Sequence, residues 1–334
     1  MALTERKDQE LLQIRVPAGE REGAIHIYFP GEGFQLCVID IHAATIPKEA
    51  SERKLPPGRV VKINVCEHGR CELRTFSGEY TYLVGGEVAV DTGQTQSHFY
   101  YPTSEYVGVE LILFMDEALQ EIPSLGKYAS AIKGPDLPRL ERQCRPMIFP
   151  GDETISSIVS LIHMYDELGM GGGMLLLKGL ELLLWVGHRL PGEEGGPRRF
   201  YTRSQTEIAR RCSELIRSDL KVRFTARELA ERFGVSETSV KNYFRHVYGT
   251  GFLEYQNRLR MEEAMQKLSG SDESVGNIAH EVGFASQTCF AKAFQKYTGC
   301  LPLEYRRRKR IEREEAGIQA LFLVTHKETR RGDC

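Results

Sequence analysis

Cys66, His68 and Cys71 stand within six residues, in the run CEHGRC. Two thiols and an imidazole this close are the groups a zinc ion or a redox-active thiol pair would use. A closed zinc site needs four ligands, however, and no second cluster accompanies these three. The same run also reads as a hairpin, with His68-Gly69 as the turn and the two cysteines as small strand residues beside it. His26, His42, His68 and His98 lack the His-x-His pair and later His that a metal centre inside a small barrel requires, so barrel enzymology is not expected. The aromatic stretch HFYYPTSEY offers Phe99, Tyr101 and Tyr106 either as walls of an apolar ligand site or as plain core.

A second feature is electrostatic. The chain of 334 residues carries a net charge of −2, yet residues 221–310 hold 16 Lys and Arg against 10 Asp and Glu. That segment is therefore +6 and the remainder −8, an asymmetry expected where one part meets a polyanion. Much of the positive charge sits in the run Arg306-Arg307-Arg308-Lys309-Arg310. Hydrophobic content of 41% and charged content of 27% are those of an ordinary globular protein, and the length allows two or more domains. The first ten residues, MALTERKDQE, lack the apolar stretch of a secretory signal. With eight cysteines and no such signal, reduced thiols and a cytoplasmic location are expected.

The elements that must position these groups follow from periodicity. Residues 20–115 read as β-rich: VVKINVCE alternates, RCELRTF runs back, and EYTYLV and EVAVDT follow after Ser77-Gly78 and Gly85-Gly86. HFYYP and YVGVELILF add further strands. From about residue 116 the pattern turns helical, and DETISSIVSLIHMYDEL places Ile155, Ile158, Leu161, Ile162 and Tyr165 on one helical face. GMGGG ends that helix. The run MLLLKGLELLLWVGHRL, 174–190, is interrupted by Lys178 and Glu181 and is too short to span a bilayer, which takes about 20 apolar residues. It reads as a buried or partner-facing helix. PGEEGGPRR is the clearest linker, TRSQTEIARRCSELIRSDL an amphipathic helix, and 311–334 a frayed tail.

The C-terminal part contains a repeat. Leu229-Ala230 and Gly234 recur as Ile278-Ala279 and Gly283 at an offset of 49. Val240, Phe244, Gly249, Glu254, Tyr255 and Arg258 recur as Phe290, Phe294, Gly299, Glu304, Tyr305 and Arg308 at an offset of 50. Each copy reads as helix, turn at glycine, second helix. Thr225 and Glu228 form a capping-box pattern, Ser236 suits an N-cap, and Gly234 and Gly283 suit a turn that needs positive φ. FLEYQNRLRMEEAMQKLS, 252–269, is a long helix between the copies. It would hold two recognition helices at a fixed separation, so that one subunit reads successive major grooves about 34 Å apart.

The segments LAERFGVSETSVKNYFRHVYG, FLEYQNRLRMEEAMQKL and IAHEVGFASQTCFAKAFQKYTGCLPLEYR resemble the DNA-binding domain of the AraC/XylS family of transcription regulators. The resemblance covers about 100 residues; the N-terminal two-thirds match only the family's general layout. It implies an α+β chain: a β-barrel-like, cupin-like sensor domain (1–115), a helical dimerisation subdomain (116–190), a linker (191–201), an all-α domain with two helix-turn-helix units (202–310) and a tail (311–334). Family positions that face the groove fall on Thr238, Lys241 and Asn242, and on Gln287, Thr288, Ala291 and Lys292. Arg245 and Arg306 with its basic neighbours are expected at phosphates. The implied function is an effector-responsive regulator, most often an activator, with double-stranded DNA, RNA polymerase, a small-molecule effector and a second copy of the chain as partners. Leu177, Leu180 and Leu184 are the expected dimer contacts; no cofactor or membrane is implied. The alternative from another class is an enzyme, or a redox or metal sensor, built on Cys66, His68 and Cys71 and fused to a DNA-binding domain.

Overall fold

The structure is a computed structural model and describes residues 4–5, 11–18, 21–46, 60–75, 77–91, 99–116, 145–189 and 198–314. The expected linker through residue 197, the helical onset at 117–144, His98 and the tail from 315 lie outside the described residues. The chain divides into two compact units, the first comprising Met1–Thr206 and the second most of Glu207–Cys334. Among the described residues, no helix is long and apolar enough to cross a membrane.

The first unit is built on one antiparallel sheet. Its strands are β1 (Thr4–Glu5), β2 (Leu11–Ala18), β3 (Arg21–Gly31), β4 (Phe34–Ile41), β5 (Val60–Arg74), β6 (Tyr80–Val84), β7 (Glu87–Asp91), β8 (Tyr106–Phe114) and β9 (Met147–Pro150). The order is β1-β2-β3-β4-β8-β5-β7-β9, with β6 also paired to β5. No pairing among the described residues joins β9 back to β1 or β2, so the barrel closure expected of a cupin-like domain is not among them and the described sheet is open. β9 lies inside the segment whose periodicity predicts helices; four residues, MIFP, are too few to display a period of two.

One expected hairpin is absent. Residues 60–74 form a single strand through His68-Gly69 rather than two strands about a turn. Gly69 does take a positive φ of 86°. A Cβ at Gly69 would lie 1.9 Å from the Glu105 carbonyl oxygen. The glycine serves a register shift against β8, where the strand exchanges its β7 partner (62–66) for β6 (70–74). Residues i and i+5 of a regular strand face opposite sides; the irregularity brings Cys66 and Cys71 into the same apolar cluster.

Two helices cover one face of the sheet: α1 (Glu153–Glu167) and α2 (Gly173–Arg189). Ile155, Ile158, Val159 and Ile162 from α1 and Leu175, Leu182, Leu183 and Val186 from α2 join Leu36, Ile63, Val65, Val109 and Leu111 in one core. Asp152 caps α1 through the Thr154 and Ile155 amides and also accepts from Trp185 Nε1 (3.1 Å) and Arg189 Nη2 (2.5 Å), which ties the start of one helix to the end of the other. Burial opposes ionisation of Asp152, but these donors outweigh it and hold the carboxyl below its usual range. Asp166 accepts from Tyr28 OH at 2.5 Å and meets His26 Nδ1 at 2.7 Å, so β3 is pinned to α1. His163 Nε2 lies 2.5 Å from Glu67 Oε2 and pins α1 to β5.

The Glu67 bond raises the His163 pKa, against the opposing effect of burial. The folded value exceeds the unfolded one, so this contribution is complete below about pH 6.5 and disappears as pH climbs through the folded value. Urea unfolding between pH 5.5 and 8 should show stability falling with pH over that window, and His163→Gln should flatten the slope. An unchanged slope in the variant would show that the pair does not couple to folding.

Candidate nucleic-acid interface

The second unit is helical. Its elements are α3 (Arg203–Ser218), α4 (Ala226–Phe233), α5 (Glu237–Tyr248), α6 (Phe252–Gly270), α7 (Val275–Glu281), α8 (Gln287–Thr298) and α9 over 302–314. The capping box at Thr225 forms as expected: Thr225 Oγ1 accepts the Glu228 amide and Glu228 accepts the Thr225 amide. Those bonds hold the Glu228 carboxyl below its usual range.

The turns of the two helix-turn-helix units make matching backbone bonds. In the first turn, Gly234 has φ 65° and the Val235 amide donates to Ala230 O at 3.1 Å. In the second, Gly283 has φ 84° and the Phe284 amide donates to Ala279 O at 2.9 Å. Ser236 and Ser286 then cap the second helix of each unit by accepting the amides of Ser239 and Cys289. The cores match as well. The Phe244 ring meets Tyr255 edge-on at 5.1 Å, and Phe294 meets Tyr305 edge-on at 5.5 Å. Such pairs add about 0.5–1.5 kcal/mol beyond their burial.

That packing leaves one face of each second helix free. On α5, Val240, Phe244 and Val247 are buried, while Thr238, Lys241, Asn242 and Arg245 are exposed at helical spacing on the other side. On α8, Phe290 and Phe294 are buried, Gln287, Thr288 and Lys292 are exposed, and Ala291 is half-buried among them. Lys241 makes an exposed ion pair with Glu237 at 3.2 Å, a contact worth little and easily exchanged for another acceptor. These side chains supply an ammonium, amides and hydroxyls, which can donate to base edges or phosphates. Arg306 is placed otherwise than its neighbours: it is half-buried and donates to the Glu273 carbonyl at 2.5 Å. Arg307, Arg308 and Arg310 stay exposed on α9.

Two buried polar residues of α6, Gln256 and Arg260, were not legible as functional in the sequence. Their one signal is that they interrupt the apolar side of a helix otherwise read from Leu259, Met261, Met265 and Leu268.

In the first unit Cys66, His68 and Cys71 do not converge on one site. His68 is exposed, whereas Cys66 and Cys71 are buried and their thiols face the carbonyls of His68 and Gly69 and of Glu72. Burial pushes the Cys66 thiol up to about 12 and raises that of Cys71 as well. Among the described residues, no group of three His, Cys, Asp or Glu side chains could hold a metal. Tyr101 and Tyr106 are fully buried with rings 5.1 Å apart, and Phe99 packs against their cluster.

The helical unit resembles known proteins. Residues 229–308 match the helix-turn-helix domain family model. An HTH-type transcriptional regulator of Escherichia coli, YijO, is 34% identical over 111 residues, which is 31% of this chain and 39% of that protein. A Streptomyces lividans protein described as an AraC-like transcription regulator is 33% identical over 84 residues, 25% of this chain and 28% of that one. The DNA-binding domain of AdpA, solved in complex with a target DNA, is 26% identical, covers 32% of this chain and 96% of that one, and has a TM-score of 0.30. The chain thus spans under two-fifths of the length of the first relatives it matches. Fold and surface define a tandem helix-turn-helix domain. Residues 229–308 are thus an AraC-type helix-turn-helix domain.

The two turn glycines differ in surroundings. A Cβ on Gly234 would meet nothing within 4 Å, whereas one on Gly283 would sit 2.8 Å from Leu220 O and 2.9 Å from Lys221 Cα. Gly234→Ala should therefore cost only the left-handed conformation, about 1–2 kcal/mol. Gly283→Ala should cost clearly more, because backbone must move as well. Urea unfolding of both variants measures the difference; equal losses would show that the Gly283 contact yields freely.

Proposed function

We propose that the protein is a sequence-specific DNA-binding transcriptional regulator in which α5 and α8 each enter a major groove. The observation that carries this reading is the exposure of Thr238, Lys241, Asn242 and Arg245 and of Gln287, Thr288 and Lys292, with half-buried Ala291 among them, on helices held by matching cores. Asn and Gln can pair bidentately with adenine, and Lys with guanine O6 and N7. Ala291 offers only an apolar surface, which suits a thymine methyl. Arg245 and the exposed arginines of α9 serve phosphates, and Arg306 serves the fold more than the DNA. Activation through contact with RNA polymerase, under control of a small molecule, completes the reading.

The sheet supports the sensing role. Register places Lys62 opposite Asp91 and Asn64 opposite Glu110, all on the face turned away from α1 and α2. Burial raises the Glu110 carboxyl pKa, with Lys62 opposing and Asp91 adding to the effect. Polar groups convergent on an otherwise apolar surface are what a small-molecule site requires. The effector is therefore assigned to that face, with Phe99, Tyr101 and Tyr106 as its apolar backing.

Pairing of two copies is assigned to the exposed apolar residues at the α1–α2 turn: Met164, Leu168, Met170, Met174 and Leu177, which are 41%, 65%, 42%, 36% and 56% exposed. Leu177 stands in this surface, whereas Leu180 and Leu184 pack against the sheet core. Leu177→Glu combined with Leu168→Glu should yield monomers by sedimentation without loss of fold, and Leu180→Glu should destabilise the unit instead. Dimers persisting in the double variant would move the interface elsewhere.

Lys241→Ala and Lys292→Ala should each weaken binding to duplexes recovered from a random pool by about 5- to 150-fold, matching about 1–3 kcal/mol per base contact. Fluorescence anisotropy reads the loss. Unchanged affinity and unchanged base preference in both variants would overturn the groove assignment.

A further inference from the structure

Arg260 lies on α6, the helix between the two units, and only 9% of its surface is exposed. Its Nε donates to the Leu220 carbonyl at 2.8 Å and its Nη2 to the Lys221 carbonyl at 3.4 Å. Gln256, one turn earlier and 3% exposed, donates to the same Leu220 carbonyl at 3.3 Å and to the Val222 carbonyl. Residues 219–225 form the loop that delivers the chain from α3 into the capping box of α4, the start of the first helix-turn-helix unit. Arg260 thus holds the approach to the first unit.

The same guanidinium also faces the second unit. It lies 5.7 Å from the centre of the Phe284 ring, which follows the Gly283 turn and packs on Phe290 of α8. A Cβ at Gly283 would come within 2.8 Å of Arg260 Nη2 and of Leu220 O. The turn of the second unit, the guanidinium and the entry loop of the first unit are therefore in mutual contact. Burial lowers the Arg260 pKa, with Arg223 adding to the effect, yet arginine stays charged at any ordinary pH. A charged group buried without a carboxylate partner among the described residues is held by its hydrogen bonds to carbonyls and by the aromatic face, and losing that geometry is costly. Leu, Met or Gln would fill similar space, but only a forked donor reaches Leu220 and Lys221 together while stacking on Phe284.

We propose that Arg260, seconded by Gln256, is a positioning residue that locks the Gly283–Phe284 turn onto loop 219–225 and so sets the spacing between the two DNA elements that one chain reads. Neither side chain needs to touch DNA. Their effect is on phase: one added base pair displaces an element by about 3.4 Å and rotates it by about 35°. A rigid pair of units rejects that displacement and a hinged pair tolerates it.

The inference rests on the two-groove reading above, and the experiment separates the two. Full-length protein selects from a pool of random duplexes, and the recovered site is remade with one base pair inserted between its two elements. The readout is the ratio of affinities for the original and the inserted duplex. It is an internal ratio on folded molecules, so partial unfolding of a variant does not move it. The wild-type chain should prefer the original site about tenfold or more, the scale of a lost base contact. Arg260→Met should bring the ratio to about threefold or less while each element keeps its base preference, and Arg260→Lys should lie between. Recovery of only one element by the wild-type chain would refute the two-groove reading itself. Two elements recovered by the wild type, with the ratio unchanged in Arg260→Lys and in whatever Arg260→Met folds, would overturn the role of Arg260.

Discussion

Burial of the α6 helix on more than one side is the constraint on which the DNA-binding unit depends. Tyr255, Gln256, Leu259, Arg260, Met261, Ala264 and Leu268 are all buried, and no single face of a helix holds that set. One side completes the core of the first helix-turn-helix unit through Tyr255 against Phe244; another completes the second through Met261, Ala264 and Leu268 with Ile278, Phe290 and Phe294. A helix shared by two cores cannot turn to suit one without disturbing the other. The orientation of α5 is therefore coupled to that of α8 through packing on one helix.

Much of that arrangement was legible in the sequence. A repeat at a nearly constant offset carries its own check, because Gly234 and Gly283 must share a positive φ and the pairs Phe244–Tyr255 and Phe294–Tyr305 must pack alike, and they do. The capping box at Thr225 and the N-cap at Ser236 depend only on residues three apart, which is why local pattern found them. The role of Gln256 and Arg260 was not legible, since their partners are carbonyls about 35–40 residues away and any sequence supplies carbonyls. The hairpin expected at His68-Gly69 failed for a related reason. Glycine marks a positive φ, but whether that φ makes a turn or a register shift depends on where β6, β7 and β8 run.

The sheet unit shows a division of labour between its faces. The side under α1 and α2 is sealed by aliphatic residues and braced at its edges by Asp152, Asp166 and the His163–Glu67 pair. The other side mixes apolar residues with Lys62, Asn64, Asp91 and Glu110, an arrangement that costs folding free energy unless polar groups there are matched. On that side Lys62 pairs with Asp91 at 3.9 Å and Asn64 accepts from the Tyr106 hydroxyl. The thiols of Cys66 and Cys71 belong to the same unit: buried and protonated, they behave as small apolar groups.

The central claim is that one chain reads two grooves on one side of a duplex. Methylation interference at guanine N7, which lies in the major groove, tests it most directly on DNA recovered by the full-length protein from a random pool. The account predicts two clusters of interfering positions, centred about one helical turn, roughly 10–10.5 base pairs, apart and facing the same side. A single cluster, or two clusters on opposite sides of the duplex, would contradict it.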